Sequence, residues 1–237
     1  MGDSDIFIFL LIRLLTVPDR ILNMSKTNFT LSDYHQRKWF DSRSWQGVLL
    51  VAGAVNLNIF TTLNESPLSA VDLAKKLALD ERATAVTLEA LRETGHVNFS
   101  DNRYSLTDSA QLSFGDPKDP QYLGWSVLHS WRLMQRWLTL PEVVKSGKPL
   151  PGDRFSETVE GFIRAMDVYA KPTGAEVVDI CLNRVPHAAA VLDIGGATGT
   201  VSRLLADRKI KVTLFDIPEV IETIKDDLSR DWPSIAL

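Results

Sequence analysis

Two short stretches near the end of this 237-residue chain combine residue types suited to holding a ligand. The first reads LDIGGATG and places Asp193 two residues before Gly195, with Gly196 and Gly199 following. Glycines at the end of a strand let the backbone pass close to a ligand, and the free amides of the next helix add positive potential. The second reads KVTLFDI and puts Asp216 at the close of another apolar run. An acid in that place can accept hydrogen bonds from ribose hydroxyls. A dinucleotide turn would show G-x-G-x-x-G, whereas here Ala197 interrupts the glycines and a carboxylate precedes them. A carboxylate there favours a ligand with a cationic group, such as a sulfonium, over a pyrophosphate. A plainer reading stands beside it: the glycines make only a tight turn, and Asp216 only caps a helix.

Positioning these residues requires a β-α-β unit. AAAVLDI and KVTLFDI are continuous apolar runs, as expected of strands buried on both faces. Residues 195–199 turn between them, 201–207 form the crossover helix, and Pro218 opens a further helix. These are the only two strands of this parallel sheet that the sequence places. Upstream, helices are expected over residues 121–140 and 157–170, with a loop over 147–152. Phe162 and Met166 lie one helical turn apart, and spacing alone makes them core residues.

The first half has a different character. Residues 44–63 are apolar on nearly every side of one continuous helix, the signature of burial inside a domain or against a partner. Ser69 and Asp72 form a capping-box pattern before a short helix. Asp80 caps a helix over 81–94 that Gly95 closes, with Ala83, Thr87, Leu88, Ala90 and Leu91 on one side. A hairpin follows about Asp101-Asn102. Three helices and a hairpin are the order of a winged helix-turn-helix. A DNA reader needs a basic face, yet residues 81–94 carry three acids and two arginines and the chain has a net charge of −4, so no nucleic-acid partner is expected.

One cysteine, Cys181, rules out an intrachain disulfide and a thiolate metal cluster; no metal is expected, and a reducing cytoplasm fits. The apolar run at residues 6–15 is too short to span a bilayer, follows acidic rather than basic residues, and gives no reason to expect a membrane. It reads either as a non-native leader ahead of a start at Met24 or as a packing helix.

From about residue 44 onward the chain resembles the S-adenosylmethionine-dependent O-methyltransferases with an N-terminal winged-helix dimerisation domain, found in plant phenolic methylation and bacterial secondary metabolism. The pieces that carry the resemblance are Asp72-Leu73-Ala74, Leu88-Glu89-Ala90-Leu91, Tyr104-Ser105-Leu106-Thr107, Ser146-Gly147-Lys148-Pro149, Phe162 to Met166 and, most specific, LDIGGATGTVSRLL with LFDIPEVIE. The resemblance implies a mostly α winged-helix domain over residues 30–115, after a leader of doubtful status over 1–24. Connecting helices over 116–172 would line the substrate pocket, and 173–237 would begin an α/β Rossmann-like cofactor domain. It implies S-adenosyl-L-methionine as cofactor, bound by Asp193, Gly195, Gly196, Gly199 and Asp216. It further implies a homodimer, a small aromatic or polyketide-like hydroxyl acceptor, and Phe162 and Met166 against the acceptor's ring. The family's general base is a histidine expected beyond Leu237, so the chain reads as truncated and inactive by itself. His35, His96, His129 and His187 all precede Asp216 and take structural roles, with His129 the one exception because its helix can line the pocket mouth. The competing readings are a non-catalytic dimerising or cofactor-binding remnant, a winged-helix regulator, and an NAD-dependent dehydrogenase.

Overall fold

The computed structural model of the chain describes residues 43–148 and 158–237. The expectations at 6–15, Met24, His35, Pro149, the rest of the loop to 152 and Glu157 lie outside them.

The first half opens with α1 (Arg43–Asn56) and α2 (Ile59–Glu65), bent by 60° at the break. This corrects the single helix expected over 44–63: Asn58 takes a left-handed conformation at φ 57°, which a short polar side chain tolerates and which ends the helical run. Within the chain, Val51, Ala52, Ala54 and Val55 face the core while Trp45 and Val48 stay exposed, so the domain covers one side of α1. No single helix among the described residues is long and apolar enough to cross a membrane; α1 and α2 meet that composition only as a bent pair.

Next come α3 (Ala70–Leu77) and α4 (Glu81–Glu93). The Ser69 hydroxyl donates to Asp72 and accepts its amide, and Asp80 accepts the amide of Ala83 at 2.8 Å. Thr84, Leu88 and Leu91 form the buried stripe of α4; Ala83, expected there, is exposed. Strands β1 (Val97–Ser100) and β2 (Arg103–Leu106) pair antiparallel across Asp101 and Asn102, both at positive φ as the tightest hairpin turn requires. Leu68 bridges to Tyr104 and adds a third backbone segment at that edge. With α5 (Asp108–Phe114) these elements enclose a core around Ile59, Phe60, Leu63, Leu73, Leu88 and Leu91.

The connecting region holds α6 (Gly124–Trp137), α7 (Leu140–Ser146) and α8 (Val159–Arg184). The helix expected over 121–140 is α6, three residues shorter at each end, and α7 begins at Leu140. The one expected over 157–170 runs on to Arg184, carrying Pro172 inside it and crossing position 172 without a break. α8 packs on α6 at one side and on the later α9 at the other.

The β-α-β unit is present: β3 (Ala190–Ile194), α9 (Thr200–Asp207), β4 (Lys211–Phe215) and α10 (Pro218–Asp231), with the two strands parallel. A third strand, β5 (Ile235–Ala236), pairs parallel with β4 and corrects the count of two. Two residues are too few to carry a hydrophobic pattern. Val191, Val212 and Leu214 of the sheet pack with Ile163 and Val178 of α8, so the sheet and the connecting helix share one core.

Candidate functional site

The ends of β3 and β4 lie side by side, in register from Ala190 with Lys211 to Ile194 with Phe215. Beyond them the glycine turn is tied back to β4: the Gly195 amide donates to the Phe215 carbonyl at 2.8 Å, and the Ala197 amide to Asp216 Oδ2 at 2.9 Å. Asp216 Oδ1 accepts the amide of Ile217 at 2.8 Å. One carboxylate thus joins two strand ends and keeps further lone pairs for a ligand.

The three glycines do different work. Gly195 has φ +73°, and no heavy atom lies within 4 Å of where a Cβ would stand, so its backbone borders open space. Gly196 is bare because the core crowds it: a Cβ would meet Leu214 Cγ at 2.7 Å. Gly199, at φ +80°, stands at the N-cap of α9 and packs toward Leu214; it is absent from the cavity lining described below.

Asp193 is 1% exposed, with Oδ2 accepting the Ser202 hydroxyl at 2.7 Å and Oδ1 buried without a partner. Burial pushes its carboxyl above the ordinary range and the neighbouring Asp216 charge adds to that, while Ser202 opposes it. A buried carboxylate with an unmatched oxygen costs free energy until something cationic or protic answers it.

These residues open on a cavity of about 600 Å³, within the range of small-molecule sites. Its lining joins Asp193, Gly195, Gly196, Ala197, Thr198 and Asp216 at one side to Phe162, Met166, Tyr169 and His129 at the other. Phe162 is 46% exposed, so it and Met166 border the cavity instead of filling the core that spacing alone suggested. His129 stands edge-on to Phe162 at 5.7 Å between ring centres and to Tyr169 at 6.4 Å. Of the other described histidines, His96 packs beside the stacked rings of Phe60 and Phe114, where burial lowers its pKa, and His187 is exposed in a turn.

Sequence reasoning missed Asp167. This acid on α8 has a side chain only 15% exposed and accepts the hydroxyls of Thr198, at 2.8 Å, and of Thr200. Lys171 pairs with its other oxygen at 2.8 Å and also donates to the Pro120 carbonyl. Burial raises the Asp167 carboxyl's pKa, but Lys171 and the two threonines outweigh it, and the net direction is down. The one signal in the sequence was Lys171 four residues on, which reads equally as a surface ion pair.

No protein-family profile matches the sequence. The chain is 27% identical over 189 residues to the tetracenomycin polyketide synthesis 8-O-methyl transferase TcmO of Streptomyces glaucescens, a match covering 75% of this chain and 55% of that protein. The chain therefore spans about half the length of that curated relative. Among solved structures, PigF with S-adenosylhomocysteine superposes with a TM-score of 0.68 at 22% identity, covering 88% of this chain and 65% of that one. Human N-acetylserotonin methyltransferase in complex with S-adenosylmethionine gives 0.64 at 17% identity, covering 89% and 66%. At such identities the structures speak for the fold, and the sequence match adds kinship. The chain is thus similar in sequence to an O-methyl transferase and similar in fold to methyltransferases solved with S-adenosylhomocysteine or S-adenosylmethionine.

Proposed function

We propose that the chain carries the S-adenosylmethionine site and the acceptor-facing helix of an O-methyltransferase that methylates a hydroxyl of a small aromatic or polyketide-like molecule. The observation behind this reading is one cavity bordered by the open backbone of Gly195, the carboxylates of Asp193 and Asp216, and, opposite them, Phe162 and Met166. The donor set fits the cofactor. Asp216 accepts ribose hydroxyls with the lone pairs its two amide partners leave free, and Asp193 contributes negative potential toward a sulfonium or an ammonium. When bound, the cofactor supplies an electrophilic methyl group. Phe162 and Met166 hold a flat ring by apolar and thioether contact, and the gain in rate comes mainly from aligning two reactants. The family resemblance implies a histidine as the acceptor of the hydroxyl proton, and His129 is the described histidine in the cavity wall.

The helix order of the first half, the hairpin and the Leu68–Tyr104 bridge support a winged-helix reading of residues 30–115. Exposed Trp45 and Val48 on α1 support pairing of two copies through it. Sedimentation of the chain at micromolar concentration is expected to give a dimer, and a stable monomer would count against this.

Calorimetry with S-adenosylhomocysteine tests the cofactor assignment. Gly195→Asp should abolish binding by filling the backbone approach, and Asp216→Ala should weaken it by about 1–3 kcal/mol. Unchanged affinity in both variants overturns the assignment. A radiolabelled methyl-transfer assay against a panel of phenols compares the chain with its His129→Ala variant. Transfer that is lost in the variant supports His129 as the proton acceptor, and transfer that survives unchanged removes that role from it.

A further inference from the structure

The glycine turn and the acceptor-facing helix are held together by a side chain that neither motif includes. Asp167 follows Met166 on α8, and its carboxylate reaches Thr198 and Thr200, the residues either side of Gly199. Gly199 sits at φ +80° and Gly195 at φ +73°, backbone settings that glycine adopts without preferring them, so the turn's own sequence leaves its shape underdetermined. Two hydroxyls on one buried carboxylate oxygen remove that freedom from the side of α8. Lys171 neutralises the other oxygen and anchors in turn to the Pro120 carbonyl, ahead of α6.

We propose that Asp167 is a positioning residue that locks the glycine turn to α8 through Thr198 and Thr200, so that the cofactor loop and the acceptor-facing side chains move as one unit. The ligand side of this rests on the cofactor assignment above. Phe162, Met166 and Tyr169 share the cavity wall with Asp167, and Ala197 and Thr198 form the facing wall. A ring pressed against α8 therefore acts on the same hydrogen-bonded cluster that sets the turn. Charge-assisted bonds to a buried carboxylate are among the stronger ones in proteins, so losing them is a sizeable local change.

Amide hydrogen exchange tests the lock without any ligand. In Asp167→Ala the peptide spanning residues 195–200 should exchange at least about tenfold faster, while α4 exchanges as in the wild type. Asp167→Asn keeps an accepting oxygen for the threonines and should restore most of the protection. Lys171→Met, which leaves both threonine bonds in place, should change it less than Asp167→Ala does. Thr198→Val serves as the milder variant should Asp167→Ala fold poorly, with a smaller loss at the same peptide. Unaltered exchange over 195–200 in the alanine variant, or in Thr198→Val if that alone folds, overturns the proposal. Equal acceleration in the turn and in α4 also overturns it, since that marks general destabilisation. In parallel, S-adenosylhomocysteine affinity should fall about tenfold in Asp167→Ala and recover in Asp167→Asn. If the wild type binds no S-adenosylhomocysteine, the cofactor assignment fails, and the exchange comparison still decides the role of Asp167.

Discussion

The helices and hairpin of the first half and the glycine turn of the second obey different rules. In the first half the local signals agree with one another: Ser69 and Asp80 cap their helices, Asp101 and Asn102 take the positive φ their hairpin needs, and Phe60 is fully buried among apolar neighbours. At the glycine turn they conflict. Ala197 occupies φ +47° with a side chain that disfavours it, and Asp193 is buried with one oxygen unanswered. Left-handed alanine is not peculiar to the turn, since Ala78 ends its helix at φ 54°; what sets the turn apart is the unanswered oxygen of Asp193, which a ligand can answer.

The largest test of this contrast is Phe60→Ala, which should destabilise the chain by about 3–5 kcal/mol in urea unfolding. The folded fraction should still bind S-adenosylhomocysteine with nearly wild-type affinity. A large loss of affinity would merge the two regions into one cooperative site. Asp193→Asn should act in the opposite sense, raising ligand-free stability at neutral pH by about 1–3 kcal/mol while weakening the ligand. The sign follows from linkage: the folded-state pKa of Asp193 lies above the unfolded value of 3.8, so stability falls as pH rises from there through the folded pKa. Urea midpoints should show the variant's advantage growing over that rise and vanishing in stronger acid; an advantage independent of pH would assign it to packing. Ala197→Gly should add up to about 1 kcal/mol by relieving the left-handed strain, less the entropy glycine loses on folding. No change in thermal midpoint would mean the turn has already relaxed around the methyl. The smallest effect belongs to His96, whose folded pKa lies below the unfolded 6.5. Its contribution is complete above that pH and shrinks as pH falls toward the folded value, a slope that His96→Phe should flatten.

What could be read from the sequence was what neighbours in sequence decide. Ser69 with Asp72, Asp80 with Ala83, and Asp101 with Asn102 each complete a hydrogen bond or a turn within three residues. The β-α-β unit was equally plain, because its two strands are apolar throughout. The left-handed Asn58 was signalled only by the asparagines at 56 and 58 in an otherwise apolar run, and residue type alone does not fix which of them bends the chain. Gly199 shared its residue type with Gly195, and only the packing of Leu214 separates a turn glycine from one that borders the cavity. Asp167 was beyond reach for another reason: its partners Thr198 and Thr200 lie 31 and 33 residues away, and side-chain pairs at that separation leave no local pattern.

Helix α8 carries cavity-facing and turn-holding residues on one rod of 26 residues, from Val159 to Arg184. Successive residues of an α-helix are offset by about 100°, so their relative directions depend on the number of residues between them as well as on their identities. A single residue inserted between Met166 and Asp167 would swing the carboxylate by that angle from Thr198 and Thr200 while leaving Phe162 and Met166 unaltered. Deleting one would misdirect it the other way. Substitutions along the outer side of α8 should be absorbed, whereas changes of length between Phe162 and Gly174 should be rejected. This stretch is therefore a poor place to graft loops, tags or chimeric junctions, however many of its side chains are exposed.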